Sequence, residues 1–265
     1  MRSSGKAPLS ATHAASANSQ PAASAAAPKP APALHPLSAY GLLPSILEAY
    51  AARGITSLFG WQAAALATPG VLEEALNLLY TAPTSGGKTV VAEVLALRRL
   101  QEGGAHAKAL FVLPFRAIVA EKHADFKKLL KGSGINVAEY SGPVGALPVP
   151  RRTNLAVCTI EKALLLVHSL ANEGRLHELK AVVVDEFHMV GKPQRRALER
   201  LLTLLVFWSR KQWALAAEQR RLATPGAPPR PAAASASASG AASASAAAAA
   251  AAPQIIGMSA TMSNL

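Results

Sequence analysis

The sequence predicts a doubly wound α/β fold, in which a mostly parallel β-sheet is covered by helices on both faces. Two observations predict it. Apolar runs of strand length alternate along the chain with amphipathic stretches of helical length. One of these runs contains three consecutive valines, Val182, Val183 and Val184. Continuous apolar strands of this kind are typical of parallel sheets that are buried on both faces.

The elements follow one another in a regular order. A helix is predicted around Leu42–Tyr50, where apolar residues repeat at helical spacing, and Gly54 then favours a stop. Strands are predicted at 77–82, 108–113, 135–140, 154–159, 180–185 and 254–258. The helices between them are predicted at 89–101, 117–131, 161–171 and 194–207.

Composition divides the chain into parts. The sequence is 51% hydrophobic, but much of that count is alanine in tracts rich in Ala, Ser and Pro. Such tracts bury too little surface to offset the entropy cost of ordering them. We therefore predict a disordered leader over 1–36, a folded domain formed by 37–222 and 253–265, and a low-complexity insertion over 223–252.

Charge and cysteine content exclude some classes of protein. The net charge is +12, but residues 35–208 contribute only +5 of it, so nucleic-acid binding and basic tails both remain open explanations. The single cysteine, Cys158, excludes an internal disulfide and a Cys-rich zinc site. No apolar stretch approaches the roughly 20 residues that span a bilayer, so no membrane partner is expected. The leader has the composition of either an organellar transit peptide or an unstructured segment.

The segment Ala82-Pro83-Thr84-Ser85-Gly86-Gly87-Lys88-Thr89 follows a predicted strand and opens a predicted helix. This is the context that a phosphate-binding loop requires, because backbone N–H groups freed by the glycines and the helix N-terminus both attract phosphate. Lys88 would reach the β- and γ-phosphates, and the Thr89 hydroxyl would bind Mg²⁺. The usual pattern begins with Gly, which is Ala82 here.

A second polar segment, Asp185-Glu186-Phe187-His188, follows the valine strand. Ligands of open α/β sheets bind at the carboxyl ends of the strands, which is where this segment begins. Asp185 can hold Mg²⁺, and Glu186 can accept a proton from the water that attacks the γ-phosphorus. The alternative is that one acid caps the next helix while His188 is merely buried against it.

With Ser259-Ala260-Thr261, these two segments resemble motifs I, II and III of the superfamily 2 DExH-box helicases. Their order and spacing agree with that family. The strings C-T-I-E-K and Q-I-I-G-M-S-A-T are similar to the branch that contains DNA polymerase theta and its helicase-only relative.

The resemblance implies a RecA-like P-loop NTPase domain that uses ATP and Mg²⁺, with site residues in five groups. The catalytic residues would be Lys88, Asp185 and Glu186, and the metal ligands Thr89 and Asp185. Nucleotide binding would involve Gln62, Thr84, Ser85, Gly86, Gly87, Lys88 and Thr89. Coupling would involve His188, Ser259 and Thr261, and nucleic-acid binding Arg116, Thr159 and Lys162. For Gln62, which would recognise adenine, an ordinary exposed helix position is the alternative.

The family's motor has two RecA-like domains, and the second supplies an arginine finger worth on the order of 10³–10⁵ in rate. The sequence contains no segment that resembles this second domain, so we expect the ATP-binding half of a DNA helicase of DNA repair, nearly inactive alone. Its partners would be single-stranded or forked DNA and the second domain.

The resemblance implies that the protein is located in the nucleus, or in an organelle if the leader is a transit peptide. An ATP- or DNA-binding fragment without turnover, an RNA helicase and a P-loop NTPase outside the helicases remain alternatives, although Ser259-Ala260-Thr261 argues against the last.

Overall fold

Eight strands and six α-helices are present in this computed structural model, which describes residues 35–83, 86–192, 196–223 and 252–260. In chain order they are β1 (His35–Pro36), α1 (Pro44–Ala51), β2 (Ser57–Leu58), α2 (Gly60–Leu66), β3 (Leu78–Thr81), α3 (Lys88–Glu102), β4 (Lys108–Leu113), α4 (Arg116–Leu129), β5 (Val137–Tyr140), β6 (Leu155–Thr159), α5 (Ile160–Asn172), β7 (Leu179–Val184), α6 (Arg196–Ala223) and β8 (Gln254–Ser259). Nearly all of the predicted leader and insertion lies outside the described residues, so their boundaries stay predictions.

Six strands form one fully parallel sheet in the order β3-β8-β7-β4-β6-β5. The first two strands of the chain, β1 and β2, pair separately and antiparallel. Because all six strands of the main sheet run the same way, their carboxyl ends lie at one edge. The predicted doubly wound α/β fold is confirmed.

Helices cover both faces of this sheet. On one face, strand residues such as Phe111 and Val183 pack into a core with residues of α1, α2, α3 and α4. On the other face, their neighbours Val112 and Val184 pack into a second core with α5 and α6. The alternation follows from the two-residue period of a strand, which sends successive side chains to opposite faces.

The end of α6 differs from the prediction. The apolar repeat that predicted this helix ends near Leu205, yet the helix continues to Ala223. Alanine and the charged residues that follow are good helix formers, so the helix persists beyond the apolar repeat. Among the described helices, none is both long enough and apolar enough to cross a membrane.

Candidate nucleotide-binding site

The carboxyl edge of the sheet brings the three predicted motifs together. Motif I follows β3, motif II follows β7, and β8, which carries Ser259, lies between them. The backbone N–H of Ala82 donates to the Ser259 carbonyl at 3.2 Å. On the other side, the N–H of Asp185 donates to the Val112 carbonyl at 3.0 Å and ties the end of β7 to β4.

The loop before α3 turns at Gly87, which has a left-handed backbone (φ 73°). A Cβ at this position would lie 2.8 Å from the Gln62 amide nitrogen, so glycine suits both the left-handed turn and the close approach of Gln62. Lys88, the first residue of α3, is buried. Thr89 follows it and is half-buried. Thr84 and Ser85, also predicted to bind nucleotide, lie outside the described residues.

Gln62 of α2 forms a hydrogen bond with this loop. Its Oε1 accepts a hydrogen bond from the Phe59 N–H at 2.8 Å, and its Nε2 donates to the Gly87 carbonyl at 2.8 Å. Only 3% of the residue is exposed, so the alternative of an ordinary exposed helix position is wrong. Recognition of adenine by Gln62 stays a prediction.

Tyr80 on β3 contacts the start of α3, and the sequence pattern does not predict this contact. Its buried hydroxyl donates to the Lys88 carbonyl at 2.7 Å. Burial raises the pKa of Tyr80 well above its ordinary value, so the hydroxyl stays protonated and can keep donating. The only signal in the sequence is its position on β3, where alternate residues face the core.

The two acids of motif II differ in environment. Asp185 is half-buried, and its Oδ1 accepts a hydrogen bond from the Glu186 N–H at 2.9 Å. Burial raises the pKa of Asp185, and the charge of Glu186 adds to the rise. The same hydrogen bond and the charges of Lys88 and Lys122 oppose that rise without cancelling it. Asp185 therefore stands in a site that favours the arrival of further positive charge.

Glu186 has a left-handed backbone, with φ 53° and ψ 47°. Such a conformation is uncommon for a residue other than glycine and costs about 1–2 kcal/mol. Its carboxylate lies close to the last residue of the same motif, with Oε2 3.1 Å from His188 Nδ1. Strain of this kind is concentrated at functional sites.

His188 joins motif II to motif III. Its Nδ1 lies 2.9 Å from the hydroxyl oxygen of Ser259 as well as close to Glu186. Because a carboxylate only accepts hydrogen bonds, Nδ1 must carry the proton to bond Glu186. The side chain is 29% exposed, so the alternative of a merely buried histidine is wrong. Thr261, the other predicted coupling residue of motif III, lies outside the described residues.

Gly257 explains how Phe187 fits within motif II. A Cβ on Gly257 would lie 2.6 Å from the Phe187 ring and 2.5 Å from Leu79 Cδ1. The aromatic ring therefore occupies space that only a glycine in β8 leaves free.

The predicted nucleic-acid residues lie further along the same edge, after β4 and β6. Arg116 begins α4, is exposed, and has its guanidinium against Gly142, where a Cβ would lie 2.9 Å away. Thr159 is buried, and its hydroxyl accepts the Lys162 N–H at 3.5 Å and caps α5. Lys162 is half-buried in the first turn of α5. Contact of these residues with nucleic acid stays a prediction.

The donor set suits Mg²⁺ better than a metal held by the protein alone. The described part of the chain contains no group of three or more His, Cys, Asp or Glu side chains that could hold an ion. Mg²⁺ is commonly held by one or two carboxylates together with phosphate oxygens and water. Asp185 and Thr89 supply oxygen ligands of that kind beside the phosphate loop.

A parallel sheet with a glycine turn opening a helix after one strand, and an acidic pair after another, defines a P-loop NTPase domain. Comparison with known proteins identifies the family within this class. The DEAD/DEAH box helicase family matches residues 61–265. The chain belongs to the DEAD/DEAH box helicase family, and the predictions of its family and of its RecA-like fold are confirmed.

Individual relatives agree with this assignment. The chain is 38% identical to DNA polymerase theta of Mus musculus over 86% of its length and 8% of the relative's. It is 40% identical to the Helicase POLQ-like protein of Homo sapiens, over 64% of the chain and 16% of the relative. It is 36% identical to the ATP-dependent DNA helicase Hel308 of Pyrococcus abyssi, over 61% of the chain and 22% of the relative. The chain thus spans a small part of these proteins.

Among solved structures, Dbp5 of S. cerevisiae bound to RNA and ADP BeF3 matches with a TM-score of 0.55. The match covers 86% of this chain and 47% of Dbp5 at 15% identity. At that identity, the likeness concerns the fold.

Proposed function

We propose that this chain is the nucleotide-binding half of an ATP-dependent DNA helicase of the DExH subtype that acts in DNA repair. One observation carries the proposal. His188 lies within hydrogen-bonding distance of both Glu186 and Ser259, so a single side chain joins the acidic pair to the strand beside the phosphate loop. An ordinary phosphate-binding site would not need that connection.

The chain's own residues divide the work of hydrolysis. The backbone after β3, turned by Gly87, and the Lys88 ammonium bind the triphosphate. Asp185 and Thr89 would hold Mg²⁺, which neutralises phosphate charge when bound. Glu186 is oriented by its left-handed backbone and by His188, and accepts a proton from the attacking water.

Coupling to movement runs through β8. The Ser259 carbonyl accepts a hydrogen bond from Ala82, which begins the phosphate loop, while the Ser259 hydroxyl lies beside His188. A shift of the loop on nucleotide binding would therefore alter the position of His188 and, through it, of Glu186. Thr261 would extend this route, as predicted from the sequence.

DNA is the proposed nucleic acid because relatives at 36–38% identity are named for DNA. The RNA-bound Dbp5 is related by fold at 15% identity. Arg116, Thr159 and Lys162 would contact the phosphate backbone of a single-stranded or forked substrate, which fixes the position of the strand without reading its sequence. Location in the nucleus is proposed from the same resemblance, and an organelle is the alternative.

Nucleotide binding and strand preference test this proposal. We expect the purified chain to bind a fluorescent ATP analogue with Mg²⁺, and Lys88→Ala to weaken binding at least about tenfold through loss of the phosphate contact. Lys131→Ala, an exposed lysine beyond α4, is the matched control and should bind normally. Failure of the wild-type chain to bind, or equal binding by Lys88→Ala, would overturn the nucleotide assignment.

Single-stranded DNA and RNA of the same sequence should be compared in the same assay. A preference for DNA is expected. A preference for RNA would instead support the alternative of an RNA helicase. Hydrolysis by the chain alone should be very slow, because an arginine finger from a second domain contributes on the order of 10³–10⁵ in rate. Rapid turnover stimulated by DNA would contradict that expectation.

A further inference from the structure

A partly buried ion pair joins α3 to α4. The Lys122 ammonium lies 2.5 Å from Glu93 Oε1, and the two side chains are only 18% and 5% exposed. The residues are 29 positions apart in sequence. The pair therefore fixes two separate helices against each other on one face of the sheet.

Neighbouring side chains hold both partners in place. The second oxygen of Glu93 accepts a hydrogen bond from the buried Tyr50 hydroxyl at 2.5 Å. The Lys122 ammonium lies over the Phe111 and Phe126 rings, 5.7 and 5.1 Å from their centroids. A charge pair packed against aromatic rings is less screened than one at the surface, and it has few alternative positions.

The two helices begin at different candidate sites. The first residue of α3 is Lys88 at the phosphate loop, and the first residue of α4 is Arg116 on the predicted nucleic-acid surface. Glu93 lies in the second turn of α3, and Lys122 in the second turn of α4. Because helices in a packed core move as units, a displacement at the start of one is transmitted to the other wherever they are linked.

We infer that Glu93 and Lys122 are positioning residues that couple nucleotide binding at the phosphate loop to nucleic-acid binding at Arg116. The inference rests on the proposed function and names the contact through which its two ligands affect each other. Coupling of this kind is reciprocal, so each ligand changes the affinity for the other by the same factor.

The test measures that factor. The Kd of a non-hydrolysable ATP analogue with Mg²⁺ is determined for the full chain without and with saturating single-stranded DNA. A ratio of about 5 or more is expected for the wild type, the lower end of common coupling strengths. For Lys122→Met, which keeps the length of the side chain but removes its charge, the ratio should fall to about one by the same argument. Lys122→Arg, which keeps the charge, should retain most of the wild-type ratio.

Tyr50→Phe is the matched control. It removes the other hydrogen bond to Glu93 and lowers stability, but it leaves the link between α3 and α4 intact. Its ratio should stay at the wild-type value. An equal loss in Tyr50→Phe and Lys122→Met would mean that general destabilisation is responsible and would overturn the inference.

Two further outcomes separate this inference from the proposed function. A wild-type chain that binds both ligands with a ratio of one would overturn the inference alone. A chain that binds neither ligand would overturn both. If Lys122→Met does not fold, Glu93→Gln preserves the shape of the side chain and removes the charge from the other partner, and its ratio should fall in the same way.

Discussion

Glu178 and Asp185 flank the same strand, β7, and respond to their surroundings in opposite ways. Burial by itself raises the pKa of both carboxyls. At Glu178, the hydrogen bonds and charge of Arg175, with the charges of Lys108 and Arg151, outweigh burial and bring the pKa below its usual value. At Asp185, the charges of Lys88 and Lys122 do not outweigh it, and the pKa stays raised.

The difference lies in the partners at the two edges of the sheet. At the amino edge, where the amino ends of the strands lie, Arg175 donates hydrogen bonds to both oxygens of Glu178, at 3.0 and 2.9 Å. Lys108 is 3.6 Å from the same carboxylate and donates to the Thr153 carbonyl at 2.8 Å. Cations of the chain itself therefore balance the charge of Glu178. The carboxyl edge leaves a carboxylate incompletely balanced, and this is a property of a site that receives a cation.

The largest expected effect is at the amino edge. Glu178→Ala should lower the free energy of unfolding by about 3–5 kcal/mol, because it leaves two buried cations without their shared partner. Urea denaturation at neutral pH measures the change. Glu173→Ala is the matched control, since Glu173 contacts the same Arg175 from an exposed position and should matter little. Equal effects in the two variants would show that burial does not distinguish the pairs.

Asp185→Asn should change the free energy of unfolding in the opposite direction to Glu178→Ala. A carboxyl whose pKa is higher in the folded chain than in the unfolded one reduces stability at pH values above its unfolded pKa. Without Mg²⁺, the variant should therefore be more stable than the wild type at pH 7. The gain should shrink as pH falls through the raised pKa and disappear below the ordinary value of 3.8.

Unfolding by urea in EDTA at several pH values checks this prediction. The effect should be smaller than that of Glu178→Ala, because Asp185 is only half-buried. For Glu178, whose pKa is lowered, the contribution to stability is present above its unfolded pKa and lost as pH falls through the folded one. If Asp185→Asn is less stable than the wild type at pH 7, the two edges of the sheet do not differ in the way described.

The smallest effect is expected from the backbone of Glu186. Glu186→Gly relieves a left-handed conformation that costs about 1–2 kcal/mol, but adds about 0.5–1 kcal/mol of glycine entropy. The free energy of unfolding should rise by no more than about 1.5 kcal/mol in thermal or urea unfolding. Ala75, with φ 57°, is the matched position, and Ala75→Gly should give a similar gain. A loss confined to Glu186→Gly would mean that its contact with His188 outweighs the strain.

Much of the fold could be predicted from local patterns. The valine run of β7 and the helical spacing of α3 and α5 depend on neighbours in sequence, which is why those elements were identified within a few residues. The predicted strands also place the phosphate loop and Asp185 at carboxyl ends of strands, where ligands of open α/β sheets bind. The last turns of α6 were missed because no apolar pattern marks them.

The contacts that tune the site could not be predicted in this way. Lys122 reaches Glu93 only because α3 and α4 lie on the same face of the sheet, and neither residue stands out in its own helix. Phe187 depends on a missing side chain at Gly257, 70 residues further along the chain. The grip of Gln62 on Gly87 likewise depends on how α2 approaches the loop.

The place of β8 has a consequence for how the protein is made. Ile256 pairs with Leu78 on one side and with Val183 on the other, so among the strands that the structure describes β8 alone connects β3 to the rest of the sheet. A ribosome delivers residues 254–259 long after both of those strands. Until then β3 has no strand to pair with, and β7 presents an open apolar edge of the kind that promotes misassembly. The nucleotide-binding edge is therefore completed late in translation, by a contact of high sequence separation that is slow to form.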